Sequence, residues 1–161
     1  MAKDIMDRHG QKFDAYYRVI MPDTWTPVFD LTDRNRVDKW LSEGKNQLEL
    51  VIDNIMSKRK GDFIDRKLPR WITAIPTAYM YETERKTKNL SVNKDACVGC
   101  GVCAKKCPVG AIQMIDGYSV WKLEECEMCL GCLHRCPKFA ISYGNGKIDR
   151  HGQYKNPYTR I

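Results

Sequence analysis

Eight cysteines crowd between residues 97 and 136, and they come as two copies of one spacing. CVGCGVCAKKCP, Cys97–Pro108, and CEMCLGCLHRCP, Cys126–Pro137, both read C-x2-C-x2-C-x3-C-P. The wider windows DACVGCGVCAKKCPVGAI and EECEMCLGCLHRCPKFAI, from Asp95 and Glu124, align at a constant offset of 29 residues. Every cysteine, the proline, the alanine and the isoleucine stay in step. Thiolates so spaced are ligands for a four-iron cube. Three cysteines two residues apart wrap a loop around one corner, each reaching a different iron. The fourth, after a helical start, comes too soon for the last iron of that cube and ligates the other cluster. The spacing predicts one [4Fe–4S] cluster on Cys97, Cys100, Cys103 and Cys136, and a second on Cys126, Cys129, Cys132 and Cys107.

Other uses of the cysteines fit less well. Zinc takes four thiolates in a closed tetrahedron, usually from two distant CxxC knuckles, and would leave two cysteines of each copy superfluous. A secreted disulfide scaffold would need a leader and dispersed cysteines. The first ten residues, MAKDIMDRHG, mix charges with no apolar stretch, and no cysteine precedes Cys97. With all eight ligands present, a three-iron cluster is not expected, and reversible one-electron transfer is the chemistry such clusters support. Gly99, Gly101 and Gly131 are expected to permit tight turns around the clusters, and Tyr118 and Trp121 to cover them as apolar lids. His134, inside the second copy, reads as a surface histidine. No phosphate-binding glycine loop, GxSxG or HExxH occurs, and His9, His134 and His151 are not grouped with carboxylates. No catalytic residue is nominated; the chain reads as an electron carrier more than a catalyst.

Positioning these loops falls to the rest of the chain. AIQMIDGYSVWKLEE, between the copies, reads as two short strands about the turn Asp116-Gly117. Doubling of the motif implies two half-modules related by a pseudo-two-fold axis. Far upstream, Phe13, Ala15, Tyr17 and Val19 alternate with polar neighbours and predict a strand ended by Pro22 and Pro27. From Asp33, a candidate N-cap, Val37, Trp40, Leu41, Leu48, Val51, Ile52, Ile55 and Met56 recur at helical spacing. Lys58–Lys60 and Gly61 should close that helix, and Gly44 could break it. One strand and one helix cannot bury both their apolar faces, so this region needs a partner. Residues 62–93 read as a helical or irregular connector, with Trp71 and Tyr79 in its core. The expected organisation is α+β: a strand-and-helix region over 1–61, the connector over 62–93, a two-cluster module over 94–145 and a basic tail over 146–161. DRHGQ occurs twice, at Asp7–Gln11 and Asp149–Gln153, and sequence alone offers no physical reason for it.

The chain of 161 residues carries a formal charge of +7. Four thiolates on an oxidised four-iron core leave about −2 per cluster, so two clusters lower the total to about +3. Lys105, Lys106, Arg135 and Lys138 beside the cysteines then form a solvated face or a dock for an acidic redox partner, and nucleic acid is not expected. Without a leader or a run of about 20 apolar residues, the chain reads as cytoplasmic, with no membrane span.

Residues 95–143 resemble a bacterial two-cluster ferredoxin. The chain as a whole is similar to the C-terminal portion of flavodoxin–ferredoxin fusion proteins of anaerobes. That likeness rests on VIMPDTW after the predicted strand, the long helix, the connector, both cysteine motifs and the tail GNGKIDRHGQYKNP. It implies a ferredoxin-like module preceded by the end of a flavodoxin-like domain, with redox proteins as partners, a flavoprotein among them. A complete flavodoxin-like domain would open with a strand and a Ser/Thr/Gly-rich loop for the flavin phosphate, and this chain has none. FMN binding is therefore doubtful. The chain is expected to be a fragment of such a fusion, or a ferredoxin with a reduced N-terminal region. The alternative function is that of a redox subunit or fragment of a larger flavodoxin–ferredoxin-type oxidoreductase, complexed or oligomerised through the N-terminal region.

Overall fold

The structure, a computed structural model, describes residues 2–64, 79, 81–144 and 149–158. Two compact units divide the chain: Met1–Pro22 with Asn35–Pro69, and Asp23–Arg34 with Arg70–Ile161. The short segment 23–34 thus groups with the cysteine-rich unit, although it lies within the strand-and-helix region expected over 1–61.

In the first unit, helix α1 (Ala2–Arg8) stops where Gly10 turns left-handed at φ +67°. The Gln11 amide then reaches back to the Met6 carbonyl at 2.9 Å, a Schellman closure. Strand β1 (Ala15–Tyr16) pairs in parallel with β2 (Gly61–Asp62) through helix α2 (Arg34–Met56), a β–α–β unit. β1 is much shorter than the alternation from Phe13 to Val19 suggested. Its pattern describes a half-buried surface, but only two residues of β2 pair with it.

α2 begins directly after Asp33 and runs unbroken through Gly44. A side chain at Gly44 would put a Cβ 2.6 Å from the Ile20 carbonyl oxygen and 2.6 Å from the Met21 sulfur. Glycine here lets the strand-to-loop segment cross the helix closely, and the Ile20 amide bonds the Gln47 side chain at 2.8 Å. Val37, Leu41 and Gly44 are buried, whereas Leu48, Ile52, Ile55 and Met56 on the same helix are exposed. The helix ends before Gly61. Lys58 takes φ +52°, and the Arg59 amide closes onto Asn54 at 2.9 Å; Gly61 instead opens β2.

Among its described residues the second unit holds two antiparallel two-stranded sheets. One pairs β3 (Leu90–Val92) with β6 (Ile141–Tyr143), and the other is the hairpin of β4 (Ile112–Ile115) and β5 (Tyr118–Trp121). Asp116 and Gly117, at φ +49° and +82°, make its turn, as the Asp-Gly pair predicts. Short helices α3 (Val102–Lys105) and α4 (Gly131–Arg135) follow the two triple-cysteine loops. The core joins Leu90, Ile112, Leu130, Leu133, Ile141 and Tyr143, with Cys103 among them and Trp25 and Trp121 packed against it. The 29-residue repeat persists in the backbone. Left-handed φ recurs at Gly99 and Met128, Gly101 and Leu130, Gly110 and Phe139.

The second DRHGQ gains a role the sequence did not disclose. His151 Nδ1 meets the Thr26 carbonyl at 2.6 Å, and the Leu31 amide bonds the His151 carbonyl at 3.0 Å. Gln153 donates to the carbonyls of Leu133 and Cys136 at 2.6 and 2.9 Å. This copy ties segment 23–34 and the end of α4 together, while the first copy is a helix terminus. Trp71 lies outside the described residues. Tyr79, expected in a core, is exposed.

Candidate metal centres

None of the eight cysteines is in a disulfide, and they surround two cavities of the second unit. One, with about 340 Å³ of atom-free space, is lined by Cys97, Cys100, Cys103 and Cys136. The other, about 400 Å³, is lined by Cys107, Cys126, Cys129 and Cys132. Each cavity draws three thiols from one copy of the motif and the fourth from the other copy. Among the described residues no three His, Cys, Asp or Glu side chains gather about one point as a single ion would need.

Why the loops fold this way is written in their amides. Ala111 N–H donates to Cys107 Sγ at 3.2 Å, and Ala140 N–H to Cys136 Sγ at 3.2 Å, the same bond 29 residues apart. Met128 N–H points at Cys126 Sγ at 3.4 Å. Such donors favour sulfur carrying negative charge and so suit thiolates bound to iron. Without metal, burial pushes the Cys132 thiol up to about 12 and raises that of Cys126. Iron binding there must release protons.

Gly99 and Gly101 do supply left-handed turns. Gly131 does not: its φ lies outside the left-handed region, and it is the first residue of α4. A Cβ there would run into Arg135 Nη1 and lie 3.5 Å from Cys129 Sγ. The turn positions of the second copy fall to Met128 and Leu130, at φ +45° and +51°. Trp121 lines the cavity of Cys126 as expected, but Tyr118 lines neither cavity. Lys94 instead sits over its ring, 5.3 Å from the centroid.

His134 is corrected from surface to interior, at 6% exposure. Nε2 donates to the Thr24 carbonyl at 2.9 Å and Nδ1 accepts from the Tyr154 amide at 3.1 Å. That pair of bonds fixes a neutral tautomer, and burial lowers its pKa. Sequence reasoning missed Ser119. It is 3% exposed, and its hydroxyl lies 2.9 Å from Cys103 Sγ. A polar residue in alternation with Tyr118 and Val120 was the only available signal.

The region that matches known proteins contains all eight cysteines. The pattern of the 4Fe-4S dicluster domain matches residues 89–137. An uncharacterized ferredoxin of Methanocaldococcus jannaschii is 41% identical over 59 residues, 34% of this chain and 32% of that one. One component of an ion-translocating oxidoreductase complex of Methanosarcina acetivorans is 40% identical over 45 residues, 28% and 17% of the two chains. A second M. jannaschii ferredoxin is 32% identical over 69 residues, 40% of this chain and 90% of that one. The match thus spans about a third and a sixth of the first two relatives, and nearly all of the third.

Proposed function

We propose, on the premise that the chain belongs to the ferredoxins with a 4Fe-4S dicluster domain, that its two copies of the cysteine motif exchange their fourth ligand. Cys97, Cys100 and Cys103 hold one cluster with Cys136, and Cys126, Cys129 and Cys132 hold the other with Cys107. The supporting observation is the mixed lining of the two cavities. The chain is an electron-transfer iron–sulfur protein with two [4Fe–4S] clusters, each of which takes up and releases one electron at a time. The protein's own part is to fix the thiols, aim amides at sulfur and keep water away with Trp121, Leu130 and Met114. Among the described residues no helix is long and apolar enough to cross a membrane. We place the carrier in the cytoplasm, where reducing conditions keep cysteines from disulfides and available as ligands.

A second reading, that of a redox subunit in a larger assembly, has its own support. The similarity to a component of an oxidoreductase complex is one strand of it. The other is the row Leu48, Ile52, Ile55 and Met56 on α2, left exposed in a unit whose parallel β–α–β suits the end of a flavodoxin-like domain. The ligand exchange is tested by EPR of reduced single variants. Cys136→Ala should alter the same signal as Cys97→Ala, and Cys107→Ala the same as Cys126→Ala. Cys136→Ala grouping with Cys126→Ala would refute it.

A further inference from the structure

A third concavity lies between β3 and β5, an open groove of about 880 Å³. The chain segments that flank it are tied at one end. The Thr87 amide bonds Glu124 and the Cys126 amide bonds Arg85, both at 2.9 Å, and the Lys86 ammonium pairs with the Glu125 carboxylate. Beyond that tie the two strands part. Among the described residues β3 pairs only with β6 and β5 only with β4, so each keeps one edge without a strand partner there.

The groove has two properties that together point to an occupant. The first is charge. With Lys86 taken up by Glu125, Lys88, Lys94 and Lys122 line it against Asp116 and Glu124, an excess of one positive charge (3 − 2). The second is position. Ser119 lines both the groove and the cavity of Cys103, whose sulfur it touches at 2.9 Å. Trp121 and Leu90 line both the groove and the cavity of Cys126. One layer of side chains separates the groove from each set of thiols.

We propose that this groove is the docking site for an acidic, extended segment of a protein electron partner, received on Lys88, Lys94 and Lys122. The proposal rests on the reading of the chain as a two-cluster carrier. A small anion would be poorly enclosed in so open a site, since small-ligand pockets bury most of their ligand. A chain of carboxylates meets lysines spread over both walls, and unpaired strand edges accept an extended backbone. A reduced partner seated there gives up one electron to the protein across Ser119 or Trp121, with no bond made or broken.

The test uses anaerobically purified holoprotein and a fluorescein-labelled peptide of alternating Glu and Val, with binding read by anisotropy at low and physiological salt. Lys94→Glu with Lys122→Glu should weaken binding about tenfold or more. Lys45→Glu with Lys155→Glu, an equal charge change on exposed residues outside the groove, should weaken it less than about threefold. Both double variants should keep their visible absorbance and eight irons per chain. Equal losses in the two variants, no binding by the parent protein, or tighter binding of an oligonucleotide of equal charge would overturn the groove assignment. A parent protein without iron would instead overturn the carrier reading, so the two failures are separable.

Discussion

At the scale of single residues, what the chain adds to its cysteines is a set of donors aimed at sulfur. Ser119 is the one that a substitution can remove most cleanly, because its hydroxyl is buried against Cys103 Sγ. A hydrogen bond to a ligand sulfur stabilises the more negative, reduced state, so it raises the reduction potential. Ser119→Ala should therefore lower the potential of one cluster, by on the order of tens of millivolts, while Ser119→Thr keeps it. EPR-monitored potentiometry checks this, and two unchanged potentials in Ser119→Ala would reject the role. The cysteines themselves were plain in the sequence because ligand spacing is dictated by the cube they hold. Ser119 and Gln153 were not, since one polar residue in a strand or tail carries no spacing. His134 misled for a related reason: its two backbone partners, Thr24 and Tyr154, come from distant parts of the chain.

At the scale of elements, local pattern succeeded where the element is long or its turn chemistry strict. α2 follows its apolar spacing, and the Asp116-Gly117 hairpin follows from a turn that needs two left-handed residues. β1 shrank because strand length depends on a partner that the pattern cannot see. Gly44 reads as a helix breaker in isolation, yet its lack of a side chain admits the Ile20 carbonyl. Gly44→Ala should thus destabilise the first unit by about 1–3 kcal/mol, although alanine gains up to about 1 kcal/mol of helix propensity. Far-UV circular dichroism in denaturant measures it, and a gain in stability would contradict the close crossing.

β6 carries a second consequence. The Tyr143 hydroxyl donates to the Glu84 carboxylate, and burial followed by that carboxylate pushes the phenol well above its ordinary value. A raised folded-state value means that this contribution to stability is complete below the unfolded phenol's pKa of about 10. It is lost as pH rises further, toward the folded value. Tyr143→Phe should remove that alkaline loss while costing the bond to Glu84 at neutral pH. Stability followed from pH 7 to 12 by circular dichroism tests it; an unchanged alkaline limb would contradict the assignment.

At the scale of the whole molecule, two units of different construction share one chain. The first is held by a single long helix and a minimal parallel pair, and it leaves an apolar row on α2 in the open. The second is organised around two thiol-lined cavities, with one cysteine built into its apolar core. Its doubled motif made the cofactor legible before any fold was known, whereas the basic groove between β3 and β5 emerged only once distant lysines came together. Everything proposed for electron flow depends on the metal content of the second unit. Iron and acid-labile sulfide, assayed on protein purified without oxygen, test that dependence most directly. The account predicts eight of each per chain, within a brown protein bleached by chelation. Colourless protein holding stoichiometric zinc would contradict it.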